Sequence, residues 1–181
     1  IEASGVKQGI KEEVITAALD KTDVTHPVVK NVLVAEGRAP IHGVDAQVDW
    51  LFDLTLNSPI RRAVIPGQLI VTHTHATKAQ DGFTVVGEKL EAREGSAIVL
   101  ECGDCVKTVE VDGKTEYRAT CLGIIEHEID KISVLPDVTI SEDNMKVNMG
   151  IHPTAEGGDP VLLEHCKLTL QQHGVSYGIK E

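Results

Sequence analysis

Two cysteines separated by two residues are the first candidates for chemistry in this 181-residue chain. The segment Cys102-Gly103-Asp104-Cys105 can place two thiolates on one tight turn, which is how Zn²⁺ is held when two further ligands complete a tetrahedron. The remaining candidate ligands are Cys121, Cys166 and His127, and they do not form a second pair of that spacing. A redox pair would open a helix, whereas both flanks here resemble strands. We expect two half-buried thiols at a turn, and metal binding with Cys121, or redox chemistry, is the alternative.

Two histidines and one lysine also deserve a chemical interpretation. His73 and His75 are two residues apart, so a strand would place both on one face, within reach of one metal ion. An exposed polar strand face is the simpler interpretation. Lys114 follows Asp112-Gly113 at the tip of a predicted hairpin, where carrier domains hold a modified lysine, but its neighbours match no carrier motif.

The motifs of the common enzyme classes do not occur in the sequence. It contains no Gly-x-Gly-x-x-Gly, no phosphate-binding loop, no nucleophile elbow and no His-Glu-x-x-His. The sequence therefore predicts no catalytic residue, no cofactor and no enzymatic activity.

Composition narrows the classes of partner. The net charge is −11 and aromatic residues make up 3% of the chain, which argues against a nucleic-acid-binding surface and against an anionic membrane surface. No apolar run approaches the ~20 residues of a membrane-spanning helix. Four cysteines are too few for a disulfide scaffold, so we expect reduced thiols and a cytoplasmic location.

A short motif occurs near both ends of the chain. Residues 5–12 read Gly-Val-Lys-Gln-Gly-Ile-Lys-Glu and residues 174–181 read Gly-Val-Ser-Tyr-Gly-Ile-Lys-Glu. Helical periodicity follows the first copy over residues 11–20 and precedes the second over 161–173, where Asp159-Pro160 is a candidate N-terminal cap. Repeats define building units. Each copy is thus interpreted as half of a helix–turn–helix unit, in an excised piece of a longer protein.

The sequence between the two helices is typical of short strands. Strands are predicted over 31–35, 48–56, 69–75, 83–86, 97–100, 132–135 and 138–140. Asp112-Gly113 between alternating runs predicts a two-residue hairpin spanning 109–119. We predict an α+β fold, with a mainly antiparallel, sandwich-like or barrel-like β-rich core and terminal helices. The predicted regions are 1–25 for one half-unit, 26–150 for the core, and 151–181 for a linker and the second half-unit.

Three segments resemble one known family when they are taken with the repeated motif. They are Val34-Ala35-Glu36-Gly37-Arg38-Ala39-Pro40-Ile41-His42-Gly43-Val44-Asp45-Ala46; then Ile65-Pro66-Gly67-Gln68-Leu69 with Gly82 and Val86-Gly87; and then Ile132-Ser133-Val134-Leu135-Pro136 with Ile140-Ser141, Asp143 and Ile151-His152-Pro153. In this order they resemble the N-terminal region of the bacterial flagellar assembly protein A family. The loop after Leu69 lacks the proline-rich stretch typical of the family, and residues 101–121 are unusually rich in cysteine.

The resemblance implies a cytoplasmic protein of flagellar biogenesis with no known catalytic site. From the residues themselves, Gly37, Pro40 and Gly43 are expected to shape turns, and Asp45 to accept backbone N–H groups. The predicted function is a non-enzymatic scaffold or regulatory domain that binds a protein partner through residues the sequence does not identify. Trp50, Leu51 and Phe52 are expected in the core, and self-association through the terminal helices is a further expectation.

Overall fold

The computed structural model describes residues 5–21, 28, 30–52, 62–154 and 158–179. Two helices and twelve strands are assigned within these residues. In chain order they are α1 (Glu12–Leu19), β1 (Gln47–Trp50), β2 (Ala63–Val64), β3 (Leu69–Thr74), β4 (Gly82–Phe83), β5 (Lys89–Leu90), β6 (Glu101–Cys102), β7 (Val106–Val111), β8 (Lys114–Ala119), β9 (Gly123–His127), β10 (Lys131–Leu135), β11 (Val138–Ile140), β12 (Val147–Met149) and α2 (Leu163–Gln172).

The chain divides into two compact units. The first contains residues 1–45 and 76–96, and the second contains residues 46–75 and 97–181. Residues 31–45 and 76–96 therefore cluster with the N-terminal helix and not with the rest of the β-rich region. The boundaries of the three predicted regions, 1–25, 26–150 and 151–181, stay a prediction.

The second unit contains two four-stranded sheets. One has the order β1-β3-β8-β7 and is antiparallel throughout; the other has the order β2-β9-β10-β6, in which only β6 and β10 run parallel. The predicted hairpin is confirmed. β7 and β8 pair from Val106 opposite Ala119 to Val111 opposite Lys114, and Asp112 and Gly113 turn with φ of 50° and 75°. Two positive φ angles are what a two-residue hairpin turn needs to follow the strand twist.

Both of these sheets contribute to the hydrophobic core of the second unit. Val71, Tyr117 and Ala119 come from the first sheet, and Ile132 and Val134 come from β10 of the second. Ile70, next to Val71, is also fully buried, and the ladder of β3 with β8 shifts register between Leu69 and Val71. The structure thus confirms an α+β protein with a mainly antiparallel β-rich core. The sandwich or barrel arrangement stays a prediction.

The first unit is built largely from irregular extended chain. The segment from Ala35 to Asp45 forms isolated antiparallel bridges, Arg38 with Phe83 and Ile41 with Gln80, instead of a continuous ladder. Position 43 requires glycine, because a Cβ placed there would lie 2.3 Å from the carbonyl oxygen of Thr77 and 2.4 Å from the nitrogen of Gly95. The segment from Val34 to Ala46 therefore makes close backbone-to-backbone contacts in addition to its turns.

The two predicted helices are present, with shorter bounds. α2 begins after Leu162, so Asp159-Pro160 does not cap it. Its C-terminal end matches the prediction: Gly174 has φ of 80°, its N–H bonds to the oxygen of Gln171, and the N–H of Val175 bonds to the oxygen of Leu170. These are the two hydrogen bonds of a Schellman motif, which glycine favours at the left-handed position.

Several predicted strands change in the structure. Residues 31–35 contribute one bridge, Ile10 with Ala35, and no strand is assigned over 97–100, whereas β9 was not predicted at all. Glycine and a single carboxylate interrupt the apolar alternation of β9, so its pattern is weak. Residues 53–56 of the predicted strand 48–56, most of residues 22–30, and Lys180 lie outside the described residues.

Candidate functional sites: the thiols, the paired histidines and the repeated motif

The Cys102–Cys105 turn connects β6 to β7. The thiol of Cys102 donates to the carbonyl oxygen of Val106 at 3.1 Å. The backbone is tied to β10, since Gly103 N–H bonds to the oxygen of Ile132 at 2.8 Å and Val134 N–H bonds to the oxygen of Asp104 at 2.9 Å. A Cβ at Gly103 would lie 2.1 Å from the side-chain oxygen of Ser133, so glycine lets the turn approach β10. The turn is an ordinary strand connection with its backbone groups satisfied.

Cys105 faces Cys121 in the core, not Cys102. Cys121 is fully buried, Cys105 packs against the same hydrophobic cluster, and the two thiols are neighbours. Burial, first of all, raises the pKa of the Cys121 thiol far above its usual range, and the Cys105 thiol adds to the effect. Burial also raises the pKa of Cys102. A protonated thiol is a poor nucleophile and a poor metal ligand, so the environment opposes both kinds of chemistry.

The sequence-based candidate metal ligands are not brought together. His127 on β9 and Cys102 on β6 both pair with Ile132, from opposite sides of β10. They therefore lie on either side of β10, two strand spacings apart, about 9–10 Å along the sheet. No three His, Cys, Asp or Glu side chains among the described residues are grouped to hold a metal. Cys166 lies on α2, half-buried.

His73 and His75 do lie together, as their spacing predicted. Their rings are 4.6 Å apart at the end of β3. The Nε2 of His75 is 2.8 Å from the hydroxyl of Thr115, which in turn donates to a carboxylate oxygen of Glu110 at 2.5 Å. Since the hydroxyl proton points to Glu110, the geometry favours His75 donating through Nε2 to Thr115. This series of hydrogen-bonded groups, from His75 through Thr115 to Glu110, resembles a proton relay. Thr115 is buried, however, and its hydroxyl is not open to a substrate.

The expectation of an exposed histidine face is wrong for His73. That residue is only 5% exposed, and its Nε2 is buried with no hydrogen-bond partner among the described residues. Burial lowers the pKa of His73, the neighbouring His75 lowers it further, and the Glu110 carboxylate partly opposes both effects. His73 is therefore held neutral, which suits a buried ring.

Asp45 accepts a backbone N–H, as predicted, although from a different loop. One carboxylate oxygen accepts the N–H of Ser96 at 2.8 Å, and the Arg93 guanidinium lies 3.3 Å from the other. The Ser96 hydrogen bond, with the charge of Arg93, lowers the pKa of Asp45. The role of the carboxylate is to join two loops of the first unit.

The aromatic cluster is divided between core and surface. Trp50 and Phe52 pack against the core with ring centroids 5.5 Å apart, and Trp50 also meets the ring of His127 at 4.5 Å. Leu51 is 59% exposed, so it is not a core residue. Lys114 begins β8 in a regular ladder position opposite Val111.

The two copies of the repeated motif share a backbone conformation. Gly5 and Gly9 have φ of 78° and 71°, and Gly174 and Gly178 have φ of 80° and 76°. Left-handed φ at the same two places, four residues apart, explains why glycine occurs there in both copies. The sequence identity of the copies therefore reflects a shared local structure.

The fold and these sites define a two-unit α+β domain whose reactive-looking side chains mostly make structural contacts. The model of the family described as Flagellar Assembly Protein A N-terminal region matches residues 1–130, and the chain belongs to this family. The match includes the signature from Val34 to Ala46, whereas the third resembling segment and the second motif copy follow it. No match was found among curated proteins or among solved structures.

Neither helix in the described part of the chain has the length and apolarity needed to cross a bilayer.

Proposed function

We propose that this chain is a non-enzymatic scaffold or regulatory domain of bacterial flagellar assembly, which acts in the cytoplasm by binding a protein partner. The observation that carries the proposal is membership of the flagellar assembly protein A family over residues 1–130. The candidate polar residues make contacts within the fold, which is consistent with a domain that binds a partner through its surface and does not catalyse a reaction.

The structural use of the candidate residues supports a scaffold. Asp45 joins two loops, Cys105 and Cys121 fill the core, and Thr115 is buried between a histidine and a carboxylate. The alternative of a metal-binding or redox domain that uses Cys102 and Cys105 is less favoured, because the Cys102 thiol bonds to Val106 and Cys105 lies beside Cys121.

Deletion of this domain from the chromosomal gene of a flagellated host tests the role. We expect fewer or misplaced flagella by electron microscopy and reduced swimming, restored by the wild-type gene. Normal flagellar number and placement in the deletion strain would contradict the proposal. If the deletion does impair flagellation, affinity capture with the wild-type domain in the same strain identifies the partner.

A second experiment separates a scaffold from an enzyme. Cys102→Ser and His75→Gln alter the most accessible of the candidate groups without changing the core. We expect both variants to restore flagellation in the deletion strain. Loss of flagellation with either one, while the variant remains folded and still binds the captured partner, would favour a chemical role.

A further inference from the structure

We propose that the C-terminal motif, Gly174–Ile179, binds a second copy of this chain at Val34–Glu36, in the place that the second copy's own N-terminal motif occupies. This self-association goes beyond the flagellar role and requires no flagellar partner. It is argued from the different surroundings of two segments that are otherwise alike.

The N-terminal motif shows what partner this motif takes. Lys11 N–H donates to the oxygen of Val34 at 2.9 Å, Glu36 N–H donates to the oxygen of Gly9 at 3.0 Å, and Ile10 bridges Ala35. The ammonium of Lys11 forms an ion pair with the Glu36 carboxylate. We call the segment Val34–Glu36 the cradle. It offers an extended backbone edge and one carboxylate.

The fit between motif and cradle depends on glycine. A Cβ built at Gly9 would lie 2.0 Å from the carbonyl oxygen of Glu36, a distance that no side chain can adopt. Gly5, with nearly the same φ, has open space around it. The second glycine of the motif is thus the one that meets the cradle.

The C-terminal motif has the same groups, but no segment of the described residues pairs with it as the cradle pairs with the first copy. Its residues Gly178, Ile179 and Lys180 correspond to Gly9, Ile10 and Lys11. A Cβ at Gly178 meets no atom within 4 Å, and no backbone hydrogen bond to Gly178 or Ile179 occurs within the described residues. The left-handed conformation is therefore present without the contact that makes it necessary in the first copy.

The surface beside this motif is open and partly apolar. A groove of about 620 Å³ runs between the motif and the β11–β12 hairpin. Tyr177 and Met145 line it and are 93% and 78% exposed. Leu33, next to the cradle, is 56% exposed. Apolar side chains thus flank both proposed partners, and their burial would add to the backbone pairing.

Exchange of one motif for the other would preserve the contacts with the cradle, because Gly178, Ile179 and Lys180 correspond to Gly9, Ile10 and Lys11. A copy's own N-terminal motif has the advantage of attachment, which is equivalent to an effective concentration of about 1 mM. Dilute wild-type protein is therefore expected to be mainly monomeric. Because the contact joins two different surfaces, it would add copies head to tail when the N-terminal motif is displaced.

The full chain with Gly9→Ala tests this directly. The substitution expels the N-terminal motif from the cradle, so the molar mass by light scattering should rise with protein concentration. Gly5→Ala is the matched control, since Gly5 has nearly the same φ and a Cβ there meets no clash, and this variant should behave as wild type. Unchanged monomeric mass for Gly9→Ala, with a native circular dichroism spectrum, would overturn the proposal.

Double variants locate the surface. Gly178→Ala added to Gly9→Ala should abolish the association, because the new Cβ would meet Glu36 of the second copy. Gly174→Ala added to Gly9→Ala should leave the association intact. Equal association of both double variants would show that another surface is responsible.

A peptide measurement keeps the test valid if Gly9→Ala does not fold. A fluorescent peptide of residues 174–181 should bind the wild-type chain saturably by anisotropy, and the same peptide with the second glycine changed to alanine should not. Where Gly9→Ala folds, it should bind the first peptide about tenfold or more tightly than wild type, since its own motif no longer competes. Equal binding of the two peptides would refute the motif as the contact.

Discussion

At the residue scale, the side chains that suggested chemistry are used mainly to hold the fold together. Cys105 and Cys121 contact each other in the core, and Asp45 accepts an N–H from a distant loop. His73 is different, because its buried Nε2 has no hydrogen-bond partner in the part of the chain that the structure describes. A buried, unpaired ring nitrogen makes the stability of the fold sensitive to protonation.

We predict that stability falls in acid partly because of His73. Its folded-state pKa is below the ordinary value of 6.5, so the unfolded chain binds the proton more readily. The stability that the neutral form of His73 contributes is fully present above pH 6.5 and is lost as the pH falls through the folded-state pKa. Urea unfolding from pH 7.5 to 5 should show a smaller decrease in unfolding free energy for His73→Leu than for wild type. His42→Gln, in the other unit, is the control, and an equal decrease in all three proteins would contradict this assignment.

The thiols should differ in their reactivity toward alkylation. Cys102 is exposed, whereas Cys121 is fully buried with a strongly raised pKa. We expect iodoacetamide at pH 8 to modify Cys102 first, and to leave Cys121 unmodified until denaturant is added. Peptide mass spectrometry of timed samples measures the order. Early modification of Cys121 in the folded protein would show that the core opens there.

At the element scale, α2 is attached by a hydroxyl group that the helical pattern did not identify. Thr169 is fully buried; its Oγ1 accepts the N–H of Leu122 at 2.8 Å and donates to the carbonyl oxygen of His165. Leu163, by contrast, is 57% exposed, although it is apolar and lies in the same helix. The helix thus satisfies a buried backbone N–H in the turn between β8 and β9.

Thr169→Val should destabilise the second unit by about 1–3 kcal/mol. Valine has nearly the shape of threonine, but it leaves the Leu122 N–H buried without an acceptor. Thr108→Val, on the exposed surface of β7, makes the same chemical change and should alter the free energy by no more than about 0.5 kcal/mol. Denaturant unfolding of the two variants makes the comparison. Equal effects would mean that the hydroxyl of Thr169 is not required.

At the scale of the whole molecule, one segment of the chain belongs to a different unit from the residues that come directly before and after it. Residues 76–96 cluster with residues 1–45, and the strands before and after them form the other unit. The chain therefore passes from the second unit into the first and back again. Both units have to form from discontinuous segments, which favours a slow, non-local folding step.

Removal of residues 160–181 should lower the thermal midpoint of unfolding. The deletion takes away α2, and with it the acceptor for the Leu122 N–H and the bond from Gln172 to the oxygen of Thr120. Removal of residues 176–181 alone retains α2 and its capping bonds and should have little effect. Calorimetry of the two truncated chains gives the comparison. An unchanged midpoint in the longer deletion would show that the helix adds no stability.

Local patterns were sufficient to predict local structure. Asp112-Gly113 determines its hairpin because few other residues adopt two successive left-handed conformations, and the helix before Gly174 ends there for a similar reason. The family was also recognisable from the order of its glycine-containing and proline-containing segments. These features depend on backbone preferences within a few residues, which one sequence records directly.

Only the tertiary structure decided which distant residues meet. The partner of Cys105 is Cys121 and not Cys102, His73 is buried although its strand appeared polar, and α2 packs through Thr169 instead of Leu163. Strand pairing and the division into two units arise from contacts between residues far apart in the chain, and their free energy depends on shared burial and hydrogen bonding. No local pattern predicts these contacts, because a residue such as Cys105 could pack against any of several distant residues, and the assembled sheets determine which one it meets.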